Sequence, residues 1–166
     1  MLRKHTALSL VTALLALAPT AHAADTISNT NIGMELARDL ASAAVLACRA
    51  DGYQVSAVVV DRNAIVRAEL RDDLAPRFTL DIAERKANLS IMGGADSGSV
   101  VKNRADLRME LDNIDGLIMM QGGVLVESNG QRIGAIGVSG APGGDKDEVC
   151  AKKALQSLQE RIEFGA

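Results

Sequence analysis

Histidine is scarce in this chain of 166 residues: there are two, His5 and His22, and both lie near the N-terminus. If that segment is removed, a Ser-His-Asp triad, a Cys-His pair and nearly every common zinc site are excluded, because each needs an imidazole. Aromatic residues are almost as rare. There is no tryptophan, and the only aromatic rings are those of Tyr53, Phe78 and Phe164. The core must be built from Ala, Val, Leu, Ile and Met, whose small volumes suit close helix–sheet packing. There is no basic surplus either: 21 acidic residues face 18 basic ones, two of which (Arg3 and Lys4) stand at the very start. Without a cluster of Lys and Arg, nucleic acid and anionic membrane surfaces are not expected partners. Beyond residue 23 no apolar run is long enough to cross a bilayer.

What is present begins with a leader. Met1 to His5 is short and basic, Ala7 to Ala18 is apolar, Pro19 interrupts the run, and Ala21-His22-Ala23 supplies small residues at the spacing a signal peptidase reads. The apolar stretch is well short of the roughly 20 residues of a spanning helix, and no lipobox cysteine stands near the cleavage site. The expectation is a signal peptide over 1–23, cleavage after Ala23, and a periplasmic or secreted product of one domain, residues 24–166. In such an oxidising compartment the two cysteines, Cys48 and Cys150, can pair. Each falls on the apolar face of a predicted helix. A bridge would close a loop of roughly 100 residues and contribute on the order of 4–5 kcal/mol in the chain-entropy model; the alternative is two buried thiols serving as small apolar groups.

The periodicities predict a helix from about Asn31, its cap, to Ala50, ended by Asp51-Gly52. A β-branched strand follows over 55–60, then a turn at Asp61 to Ala64, in which Asn63 suits the left-handed conformation, and a returning strand over 65–71. Thr79 reads as the N-cap of a helix to Ile91, and a short helix is predicted over 101–111. Strands are predicted at 117–120, 124–127 and 132–139, the last two joined by Asn129-Gly130, which accepts the positive φ angles of a type I′ turn. A final helix runs from Asp145 to about Phe164, with Asp145, Asp147 and Glu148 at its dipole-positive start. The fold class is α/β in the α+β sense: a five-stranded antiparallel sheet with helices on both faces. Tight turns rather than helical crossovers exclude a parallel nucleotide-binding sheet.

Several of these segments resemble one family. Val58 to Arg71 resembles the first hairpin of the GlcG/HbpS family of haem-binding proteins. Thr79 to Ala87 is similar to its helix ending in a Lys-Ala pair. Gln121-Gly122-Gly123, Asn129-Gly130, Ile133 to Gly140, Pro142 to Asp145 and Cys150-Ala151 resemble its glycine-rich block. The resemblance spans roughly 31–163 and implies a profilin-like α/β/α fold, a homo-oligomer, and a haem or other tetrapyrrole pocket near the helix starting around Thr79. Many exported members carry a histidine just before that threonine; here Arg77 and Phe78 stand in its place.

The candidate ligand-binding residues are therefore Arg77, whose guanidinium matches a propionate, Thr79, Lys86, Gly122 and Gly123. Arg77 has an alternative as a solvated loop residue and Thr79 as a helix cap. Lys86 is a ligand contact or, paired with Asp61 or Glu84, a structural ion pair. The two glycines admit a ligand, a neighbouring subunit, or a turn. Without histidine an iron ligand falls to Met92 or Tyr53, with Met109, Met119 and Met120 also available. Asp72-Asp73 reads as a cation site or, more simply, as a solvated loop. Three functional readings remain: an exported haem or tetrapyrrole binder, a binding or assembly module for another small anionic molecule, and an enzyme acting on haem or a small organic acid, for which no nucleophile–base or paired-acid motif speaks.

Overall fold

The valine-rich run becomes the middle of a sheet because every one of its side chains finds a buried partner. In the computed structural model, which describes residues 25–164, β1 spans Ser56–Asp61 and is buried along its whole length. It returns as β2, Val66–Arg71. The second hairpin is β3, Gly123–Ser128, and β4, Gln131–Ser139. Asn129 and Gly130 take φ values of 50° and 74° between them, as a two-residue turn of this kind requires. All pairings are antiparallel, in the order β2-β1-β4-β3. The turn after β1 differs from expectation. Asp61 Oδ1 accepts the N–H groups of Asn63 and Ile65, and it is Ala64, not Asn63, that carries the positive φ of 62°.

One face of the sheet carries α1 (Met34–Ala50) and α5 (Gly144–Ser157). Ala37, Leu40, Ala41, Ala44 and Cys48 of α1 and Cys150, Ala151 and Ala154 of α5 enter one core with Val55, Val59, Val124, Ile136 and Val138. Cys48 and Cys150 are joined by a disulfide, 102 residues apart in sequence, that ties the two helices together. The other face carries α2, Phe78–Gly93, on Val58, Val60 and Ala135. The small residues at its buried positions have a reason. A Cβ added at Gly137 of β4 would lie 1.9 Å from the Ala83 carbonyl oxygen, and one at Gly123 would lie 2.1 Å from that of Lys86. The helix backbone rests directly on the sheet, which only glycine permits.

Four strands are present among the described residues, not five. The apolar run at 117–120 is not a strand. Its Leu117 and Met119 are buried with Leu89, Val100 and Leu111 in a third, smaller core, under α3 (Ser97–Asn103) and α4 (Arg108–Leu111). Asp112 Oδ1 accepts the Met119 N–H at 2.6 Å and Ile118 O accepts that of Met120, so two backbone donors are satisfied without a ladder. The helix predicted over 101–111 is broken into α3, a 3₁₀ turn at Ala105–Leu107 and α4. The last helix breaks at Leu158, and α6 covers Gln159–Phe164. Helix α1 starts at Gly33 without a side-chain cap, while Asn31 Oδ1 instead accepts the Arg62 N–H. The expected signal peptide, 1–23, lies outside the described residues. No helix among those described is long and apolar enough to cross a membrane.

Candidate functional site

The N-terminus of α2 is held by its own loop. Pro76 precedes it, and the capping position is Arg77, two residues ahead of where a threonine cap would place it. Thr79 is buried. Its hydroxyl donates to Pro76 O at 2.6 Å and lies 2.7 Å from Ser56 Oγ, pinning the helix to the first residue of β1. The hydroxyl is thus engaged within the fold and not turned to a ligand. Arg71 Nη1 braces the loop from the strand side by donating to Ala75 O. Asp72 is buried against Arg49 of α1, whose guanidinium holds its carboxyl below the usual range. Asp72 is therefore a structural anchor, not a solvated loop residue.

With Thr79 and Ala75 turned inward, Arg77 and Phe78 are turned outward. The Arg77 guanidinium lies 4.2 Å from the Phe78 ring centroid, within cation–π range. Phe78 is 62 % exposed and Leu74, in the same loop, 80 %. An apolar surface carrying a cation is thus built on the positive end of a 16-residue helix.

A second cluster lies deeper. Lys86, on the sheet-facing side of α2, is 1 % exposed. Its Nζ donates to Asp147 Oδ2 at 2.7 Å and to Val138 O at 3.0 Å. Asp147 Oδ1 accepts the Ala141 N–H at 3.0 Å. Gly122, at φ 125°, leaves the room: a Cβ there would be 2.9 Å from Lys86 Nζ and 2.8 Å from Val138 O. Burial lifts the Asp147 carboxyl above the usual range against the opposing pull of Lys86. Lys86, Gly122 and Gly123 are therefore brought together, but around an interior ion pair that clamps α2, β4 and α5. The partner is Asp147, 61 positions away, rather than Asp61 or Glu84. Asp147 was legible only as a charge at the start of a helix.

The remaining candidates are scattered. Met92 stands at the far end of α2, about 21 Å from Phe78 at 1.5 Å per residue. Tyr53 packs against the α1–α5 core. No group of three or more His, Cys, Asp or Glu residues suited to a metal ion occurs among the described residues. Tested against a haem, the α2 N-terminus offers an aromatic face and a guanidinium for the porphyrin and its propionates. Among the described residues it offers no imidazole, both histidines lying outside them, and no thiolate, both cysteines being bonded.

Comparison with known proteins places this geometry. Residues 32–156 match the family described as "Haem degrading protein HbpS-like". Among solved structures, HbpS is 36% identical, with a TM-score of 0.76 over 83% of this chain and 97% of that one. A double mutant of HbpS from Streptomyces reticuli gives 36% and 0.76 over 87% and 99%. A PduOC:haem complex shares the fold at 21% identity and a TM-score of 0.68, over 77% and 95%. A comparison with curated proteins found no match.

Proposed function

Because the chain belongs to the HbpS-like family, we propose that it is an exported haem-binding protein, for storage, sequestration or sensing, released after Ala23 and active as a homo-oligomer in the periplasm or outside the cell. The observation that carries the reading is the exposed Arg77–Phe78 pair at the start of α2. A tetrapyrrole presents a flat apolar ring and two carboxylates, and Phe78 with Leu74 suits the first as Arg77 suits the second. Among the described residues no imidazole or free thiolate is available to the iron, so their part is to bind and orient the porphyrin.

The test is a haem titration followed in the Soret band, with Arg77→Ala and Phe78→Ala in parallel. Saturation near one haem per chain, weakened at least tenfold by either substitution, is the expected result. A spectrum no different from that of haem with an unrelated protein would overturn the reading. The family's description as haem-degrading supports a second one. Progressive loss of the Soret band in air with ascorbate, in the presence of catalase, would favour that over storage.

A further inference from the structure

We propose that the protein has a second binding site, for a small oxyanion of the phosphate or carboxylate type, between Arg62 and Arg132. The two arginines meet because of the register of the sheet. β1 ends at Asp61, which pairs with Gly134, so Arg62 and Arg132 leave the ends of neighbouring strands side by side. This is the end of β1 opposite the Ser56–Thr79 contact, about 20 Å away at 3.3 Å per residue. The site is therefore separate from the proposed haem surface.

Arg62 and Arg132 line one cavity of about 340 Å³ with Ser28, Asn29 and Gln131, a size at the lower end of small-molecule sites. Every other side chain in the lining is a neutral hydrogen-bonding group. Neither arginine has a carboxylate within ion-pair distance among the described residues, unlike Arg38, Arg49, Arg85 and Arg161. The closest acid in sequence, Asp61, directs Oδ1 to the N–H groups of its own turn.

Arg132 is the sharper observation. Its Nη1 donates to Ile91 O near the end of α2 at 2.8 Å, but its Nε is hidden from solvent with no hydrogen-bond partner. A buried N–H of a charged group without an acceptor is costly, and a turn of the Arg132 side chain toward the adjoining cavity would let an oxyanion there supply one. The N-terminal segment forms one wall of the pocket: Arg62 N donates to Asn31 Oδ1 and Ile32 N to Ile133 O, which brings Ser28 and Asn29 beside the arginines.

The site can be read through the arginine side-chain Nε–Hε resonances of the purified protein, free of haem, at constant ionic strength set with sodium chloride. Inorganic phosphate and succinate are titrated separately. Saturable shifts of Arg62 and Arg132 are expected, with no comparable shift of the exposed Arg67 on β2. Saturation by one anion alone assigns the site to that class. Arg62→Gln is expected to weaken binding at least tenfold while leaving the thermal midpoint unchanged; it is the informative variant because Arg132 also braces α2. Shifts that do not saturate with either anion, that appear equally at Arg67, or that survive Arg62→Gln would overturn the proposal.

Discussion

Removing one half of the Lys86–Asp147 pair is expected to cost far more than removing both. Each partner is at most 3 % exposed at its side chain, so neither can be rehydrated when the other is lost. Lys86→Met leaves a buried carboxylate, and Asp147→Leu leaves a buried ammonium. Each single change should cost about 3–5 kcal/mol, a large share of the 5–15 kcal/mol typical of a folded domain. Independent effects would sum to about 6–10 kcal/mol. In the double variant no buried charge remains. Its main penalty is the Ala141 N–H, which loses Asp147 as acceptor, at about 1–3 kcal/mol. Urea unfolding of the four proteins, followed by circular dichroism with the disulfide intact, measures the cycle. The pH dependence gives a second readout. In Lys86→Met the buried Asp147 takes up a proton on folding, whereas in the unfolded chain it titrates near 3.8. The folded state then binds more protons, so stability rises as the pH falls through the folded-state pKa and levels off below the unfolded value. Additive single effects, or a Lys86→Met chain whose deficit does not shrink on acidification, would refute the account.

Two further changes probe the frame around that pair. Reducing the Cys48–Cys150 bridge, or replacing both residues by alanine, should lower stability by about 4–5 kcal/mol for a loop of this length; unfolding midpoints with and without dithiothreitol check it, and equal midpoints would show that the bridge does not restrain the unfolded chain. Gly137→Ala should cost at least about 1–3 kcal/mol, because the added methyl meets the Ala83 carbonyl and the helix must lift. Gly33→Ala, whose new methyl would meet nothing within 4 Å, serves as the control and should shift the thermal midpoint little.

The sequence reported local physics well and distant physics poorly. The β1–β2 hairpin, the Asn129-Gly130 turn and the apolar faces of α1, α2 and α5 depend on neighbours within a few positions, and all are found where their patterns put them. Thr79 shows the limit. A threonine before a helical pattern is a good cap by local rules, but here Ser56 is within 2.7 Å, and that contact fixes the hydroxyl inside the fold while the helix begins before it. The run at 117–120 fails for the same reason. A short apolar stretch says only that it is buried. Whether it pairs in a sheet depends on what else covers it, and Asp112 together with the outer side of α2 covers it first.

The candidate site divides along the same line, and the division explains why motif residues misled as to role. Lys86, Gly122 and Gly123 stand out as a lysine in a helix and a glycine pair, and they do meet in space. What decides their role is Asp147, a residue whose position gave no sign of it. A buried lysine beside a carboxylate and a carbonyl oxygen is spoken for, and a Cβ at either glycine would meet its ammonium or its helix backbone. The residues left free to bind are those that the core does not use: Arg77 and Phe78 at one end of α2, and Arg62 and Arg132 at the other. They are distinguished by no motif. Arg77 and Phe78 are exposed because Thr79 is not, and Arg132 is left incomplete because the helix end it braces uses only part of its fork.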